Sequence, residues 1–195
     1  MGRERIQIVE EPISASLAEY ARVPIAFMVE KVLDVREAEG SPTLSERRIA
    51  VPYVKDFDRD EHPTNWSARF DLSKWGLLAA LAGEQRVGGA IIAVDTPGLA
   101  MLDGRTDLAV LWDIRVLSGV RRKGIGSALF REVERWARAR SCREVRVETQ
   151  NTNVTACRFY QRQGCAIEAI NRRAYLEMPE EIQLLWHKRL EQELC

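Results

Sequence analysis

The alternation of apolar and polar positions changes character near residue 75. Downstream, "WGLLAALAGEQRVGGAIIAVDT" (75–96) holds two apolar runs around Gly83-Glu84-Gln85-Arg86, which predicts two strands joined by a short hairpin connection. "DLAVLWDIRVL" (107–117) is apolar at odd and even positions alike, as a central strand covered on both faces requires. In "IGSALFREVERWARAR" (125–140) the period shifts: Ile125, Ala128, Leu129, Val133, Trp136 and Ala137 share one helical face against Arg and Glu on the other. "REVRVETQ" (143–150) returns to a strand, so the unit is strand, helix, strand, a parallel pair with a right-handed crossover. "NVTACRFYQRQG" (153–164) predicts a second helix, capped by Asn153 and closed by Gly164.

Upstream the pattern is looser. "EAEGSPTLSERR" (37–48) and "KDFDRDEHPTN" (55–65) are polar and proline-bearing, and read as long loops around one or two helices. They form either a substrate-facing region or a solvated surface. A chain of 195 residues, 46% hydrophobic and 30% charged, fits one globular domain with a sizeable core. Its 29 basic and 29 acidic residues cancel, so no global field is available for nucleic acid or an anionic membrane, and any anion site must be local.

Apolar runs such as "VPIAFMV" and "AIIAV" are far shorter than a membrane span, and "MGRERIQIVEEP" has no apolar targeting core. A cytoplasmic protein is expected. Cys142, Cys157, Cys165 and Cys195 form no C-x-x-C pair and no ligand spacing with His62 or His187, so the expectation is free thiols and no metal.

The loop before the first helix carries the chemistry. "VRRKGIGS" (120–127) is not a P-loop, because Ile125 stands where the lysine belongs, and Leu129 replaces the third glycine of a dinucleotide fingerprint. What remains is Arg121-x-x-Gly124-x-Gly126 at a helix start. Glycine admits close backbone approach, the first-turn N–H groups point outward, and Arg121, Arg122 and Lys123 add cations, which suits a pyrophosphate. The plain alternative is a glycine-rich turn with solvated arginines. On the second helix Asn153, Ala156 and Tyr160 recur at i, i+3 and i+7, one stripe with a small residue between two hydrogen-bonding tips.

These two motifs together resemble the GNAT superfamily of acetyl-CoA-dependent N-acetyltransferases: Arg121-x-x-Gly124-x-Gly126, and N-x-x-A-x-x-F-Y-x-x-x-G from Asn153 through Phe159 and Tyr160 to Gly164. The resemblance covers about residues 75–190. "FDLSKW", "ETQNTNVTACRFYQRQGC" and "EIQLLWHKRL" are similar to its streptothricin acetyltransferase branch. Cys165 stands where the family usually has Phe, and Asn171, followed by Arg172 and Arg173, where that branch tends to carry Asp, which makes that turn less welcoming to a strongly cationic substrate.

The resemblance implies a mixed, mainly antiparallel sheet of six or seven strands with helices on both faces, and a V-shaped splay between two central parallel strands that admits the cofactor. It implies a single N-acetyltransferase domain over 1–195, with 1–74 the variable part of the acceptor site and 75–190 the acetyl-CoA-binding core. Cofactor contacts are expected from Ile114, Val116, Arg121, Arg122, Lys123, Gly124, Ile125, Gly126, Ser127, Asn153, Ala156, Phe159 and Tyr160. Val116 would offer backbone groups to the pantetheine arm.

Given a thioester donor, an amine must lose a proton before it attacks and the thiolate must gain one. Tyr160, a phenol that stays protonated near pH 7, suits the second task; its alternative is a helix tyrosine that packs. For the base, Asp113 in "AVLWDIRV" and Glu148 in "RVETQ" are carboxylates in apolar strands, and ion pairs with Arg115 or Arg146, or a water relay, remain open. No cysteine sits in a nucleophile setting, which favours direct transfer in a ternary complex. The expected partner is a small-molecule amine, a streptothricin-like antibiotic among the candidates, with no nucleic acid or membrane and a homodimer left open. A protein or peptide N-acetyltransferase and a non-enzymatic acyl-CoA-binding module are the rival readings.

Overall fold

In the computed structural model, which describes residues 6–36 and 42–191, the apolar runs form strands and the 3.6-period run forms a helix. The elements are β1 (Ile6–Glu11), α1 (Ile13–Ala21), β2 (Phe27–Arg36), β3 (Thr43–Lys55), β4 (Gly76–Ala82), β5 (Gln85–Val94), β6 (Leu108–Val116), α2 (Ile125–Ala139), β7 (Glu144–Gln150), α3 (Val154–Arg162), β8 (Ala166–Asn171) and β9 (Gln183–Arg189). A mixed sheet runs in the order β1-β4-β5-β6-β7-β9-β8, antiparallel but for one parallel pair, and β2 and β3 form a second, two-stranded sheet.

The chain divides into two compact units. The first carries β1, α1, β4, β5, β6, α2 and the start of β7. Here the strands are apolar on both faces because both are covered: α2 lays Leu129, Phe130, Val133 and Trp136 on one, and Tyr20 of α1 joins Trp66, Trp75, Leu77, Ile91 and Leu108 on the other. Gly89 makes room for that second layer, since a Cβ there would lie 2.6 Å from the Leu78 carbonyl and 2.9 Å from the Tyr20 ring. The hairpin turn is tighter than expected. Gln85 and Arg86 already belong to β5, and Gly83, at φ +58°, with Glu84 makes the reversal, the two-residue turn whose twist suits flanking strands.

β6 contains a bulge. Ile91 pairs with Asp113 and Ile92 with Leu111, which leaves Trp112 as the extra residue. In a regular strand Trp112 and Arg115 would face opposite sides. The bulge turns both toward α1, where Trp112 meets Trp66, Phe70 and Trp75 at centroid distances of 5.5–6.2 Å and Arg115 lies over the Tyr20 ring.

The second unit carries β2, β3, α3, β8, β9 and most of β7. Its core includes Val29, Val32, Leu33, Cys157, Tyr160, Leu184 and Trp186. The upstream region is the main departure from the pattern: where loops around helices are expected, β2 and β3 form a long antiparallel ribbon, and β1 joins the main sheet. β3 is exposed at nearly every position, so it carries no alternation of buried and solvated residues for the sequence to display. Of "EAEGSPTLSERR", residues 37–41 lie outside the described residues and Thr43–Arg48 are strand; "KDFDRDEHPTN" does form loop, with two 3-10 turns.

Candidate active site

In the first unit, the basic loop leads into α2 through Gly124, whose φ of +85° is left-handed and costs glycine nothing. A Cβ built on Gly124 finds nothing within 4 Å, so the loop surface there is open. The first rung of the helix is Ala128 N–H to the Gly124 carbonyl at 2.9 Å, and the N–H groups of Ile125 and Gly126 lie ahead of it at the positive end of the helix dipole. Ile125 is buried as the anchor of the turn, while Arg121, Arg122 and Lys123 are exposed. Arg122 itself adopts φ +64°. Arg121 Nε donates to the Val116 carbonyl at 2.8 Å, and Leu117 N–H donates to Val87, so the end of β6 is tied to the loop it feeds. Ile114 and Val116 are half-buried.

Asp113 is buried and bound. Its Oδ2 accepts from Arg115 Nε at 3.1 Å and from Nη2, and the same guanidinium reaches both oxygens of Asp58 at 3.1 Å and the Val23 carbonyl at 3.0 Å. Arg115 is 3% exposed, so both charges have left water and depend on each other. Burial raises the Asp113 carboxyl above the usual aspartate value, against the pull of Arg115. Burial opposes the charge of Arg115, but the carboxylates around it outweigh that and hold its guanidinium above the ordinary arginine value. Tyr20 Oη and Asp113 Oδ1 are both enclosed without a partner of hydrogen-bond geometry among the described residues.

In the second unit, α3 begins as the motif predicts. Asn153 Oδ1 accepts from Ala156 N–H at 3.1 Å, and Gly164, at φ +81°, closes the helix while Cys165 N–H returns to the Tyr160 carbonyl at 3.0 Å. Asn153, Ala156 and Phe159 are half-buried; Tyr160 is 3% exposed, its ring edge-on to Phe159 at 5.1 Å. Cys157, between them, is fully buried, and burial pushes its thiol up to about 11.

Glu148 is half-buried on β7. Its neighbour in sequence, Arg146, pairs with Glu168 at 2.9 Å, and Glu148 accepts instead from the Tyr175 hydroxyl, which in turn accepts from Gln150 Nε2 at 2.9 Å. Burial, then the Glu148 charge, raises the Tyr175 phenol well above the usual tyrosine value. The sequence offered no handle on Tyr175, which sits in the irregular stretch between β8 and β9. Nor did it show the buried ion pair of Lys55 with Glu181. Asn171 Oδ1 takes Arg173 N–H at 3.0 Å, and Arg172 donates to the Val35 carbonyl at 2.8 Å, so one of that turn's two cations is occupied within the fold.

Cys142, Cys157 and Cys165 are buried and form no disulfide among the described residues, and Cys195 lies outside them. Among the described residues no three His, Cys, Asp or Glu side chains group to hold a metal, and no helix is long and apolar enough to cross a membrane.

Residues 41–165 match the model of the acetyltransferase (GNAT) family, a span that includes both the basic loop and α3. Streptothricin acetyltransferase A of Bacillus subtilis (strain 168) is 27% identical over 150 residues, 76% of this chain and 80% of that protein. Streptothricin acetyltransferase of Escherichia coli is 28% identical over 165 residues, 83% and 84% of the two chains. A Bacillus anthracis str. Ames protein assigned as a streptothricin acetyltransferase, solved in complex with acetyl coenzyme A, shares the fold at a TM-score of 0.77 and 19% identity, covering 95% of this chain and 99% of that one.

Proposed function

The chain belongs to the acetyltransferase (GNAT) family and is an N-acetyltransferase with acetyl-CoA as donor, and from that premise we propose which residues do the work and which amine accepts. The donor's pyrophosphate binds at Arg121–Ser127, where the α2 dipole, the N-terminal turn of the helix and three exposed cations coincide. The acceptor is a primary amine on a small, streptothricin-like molecule. One observation carries that choice: two streptothricin acetyltransferases each align with more than three quarters of this chain and of their own length. Residues 1–74 then serve as the variable part of the acceptor site, and the cytoplasm, where acetyl-CoA is made and thiols stay reduced, is the compartment that suits it.

In the proposed reaction the amine gives a proton to Glu148, and its nitrogen lone pair attacks the thioester carbonyl. The C–N bond forms, the C–S bond breaks, and Tyr160 protonates the departing sulfur, leaving CoA thiol and an acetamide. Glu148 is preferred to Asp113 as the base because it is half-exposed and accepts from a neutral phenol, whereas the Asp113 carboxylate is committed to a buried guanidinium. Asp113 is, in this reading, a structural partner of Arg115.

The test is free-thiol release with acetyl-CoA and a panel of streptothricin, kanamycin, spermidine and a lysine peptide. Streptothricin is expected to give the highest kcat/KM. A lysine peptide that outruns it would move the function to protein acetylation.

A further inference from the structure

Behind Glu148, the proposed base, stand two residues of the second unit to which the catalytic reading above gives no task, Gln150 and Tyr175. Gln150 Nε2 donates to Tyr175 Oη, and Tyr175 donates to Glu148 Oε1. Gln150 and Glu148 are i and i+2 on β7, so their side chains share one face of the strand, and Tyr175 bridges them from the segment between β8 and β9. A carboxylate on an otherwise free-standing side chain samples rotamers; one that accepts from a fixed phenol is held. The phenol is fixed in turn by the amide behind it, which also strengthens its O–H as a donor.

On β7 itself, Arg146 is paired with Glu168 of β8. From the β8–β9 segment come Tyr175 and Glu181, the second buried against Lys55 of β3. Both Glu148 and Glu181 bear on the Tyr175 phenol, which keeps it a neutral donor and not a phenolate.

We infer that Tyr175 is a positioning residue for the acetyl-transfer reaction: it aims the Glu148 carboxylate at the proton of the attacking amine, with Gln150 setting the phenol. This rests on Glu148 being the base. It also gives the β8–β9 segment a part in the chemistry beyond any contact with the acceptor. Without the hydrogen bond from the phenol the carboxylate is free to sample rotamers turned away from the amine.

The experiment compares Tyr175→Phe and Glu148→Gln with the parent enzyme, reading kcat and the acceptor KM by free-thiol release on the best acceptor of the panel, and the CoA dissociation constant by calorimetry. In Tyr175→Phe kcat should fall by about tenfold while the acceptor KM and CoA affinity hold, because the carboxylate is still present but no longer aimed. An unchanged kcat, or a loss confined to KM or to CoA affinity, alongside an inactive Glu148→Gln, overturns the positioning role and leaves the base in place. An active Glu148→Gln overturns the base and the inference together. If Tyr175→Phe fails to fold, Gln150→Met is read in its place: kcat should fall the same way by less, and an unchanged kcat overturns the inference.

Discussion

Two strands of this protein carry the same local pattern, a carboxylate two residues from an arginine, and the fold uses them in opposite ways. On β6 the pair Asp113 and Arg115 closes on itself, shares the guanidinium with Asp58 and is sealed under Tyr20. On β7 the pair Arg146 and Glu148 separates: the arginine takes Glu168 and the glutamate takes the Tyr175 phenol. The first arrangement neutralises a buried charge with another buried charge, which holds only while both are present. The second leaves a carboxylate with one neutral donor and partial access to solvent. Identical spacing therefore does not fix a carboxylate's surroundings; burial and the third partner set the two apart.

The largest expected effect separates the two strands by activity. Glu148→Gln should lower kcat by about 10²–10⁴-fold, the usual range for removing a general base, with the melting temperature nearly unchanged. Tyr160→Phe should lower kcat on the same scale while the CoA dissociation constant moves little, because the ring that packs beside Phe159 remains. Equal losses of kcat and CoA affinity in that variant would make Tyr160 a binding residue.

Asp113→Asn should invert the pattern. Removing one member of the buried pair costs about 3 kcal/mol even with Asp58 still on Arg115, a melting temperature roughly 6–12 °C lower by calorimetry. Activity of the folded variant at low temperature should survive. Loss of activity without loss of stability would restore Asp113 as the base.

Gly124→Glu probes the other end of the first unit. The side chain meets open space rather than a clash, so folding pays only for a left-handed non-glycine residue, about 1–2 kcal/mol. CoA binding, read by calorimetry, should fall at least tenfold because a negative charge enters the phosphate position. Retained affinity would relocate the pyrophosphate.

The smallest effect concerns Cys157. Its thiol titrates near 11 in the folded protein against about 9 when unfolded, so the folded form holds its proton longer. The associated stability is fully present below pH 9 and is lost as pH rises through 11. Denaturant midpoints of Cys157→Ala should accordingly decline less between pH 9 and 11 than those of the parent. Parallel curves would show that the buried thiol does not contribute.

What the sequence determined by itself was everything written in short-range order. The β4–β5 hairpin, the amphipathic α2, the glycine that starts it and the asparagine that caps α3 are each set by residues within about ten positions of one another, where periodicity and capping chemistry speak directly. The two motifs that carry family membership lie in that class. The ribbon of β2 and β3 does not: its exposed strand has no buried face to leave a pattern, and its pairing bridges residues as far apart as Phe27 and Lys55. Nor does the bulge at Trp112, which appears only when β6 is laid against β5. The surroundings of the two strand carboxylates were also decided at long range, Asp58 coming to the Arg115 that pairs with Asp113 across 57 positions and Tyr175 to Glu148 across 27. A carboxylate's chemistry depends on its solvent and its donors, and those are supplied by chain that is remote in sequence and near only after folding.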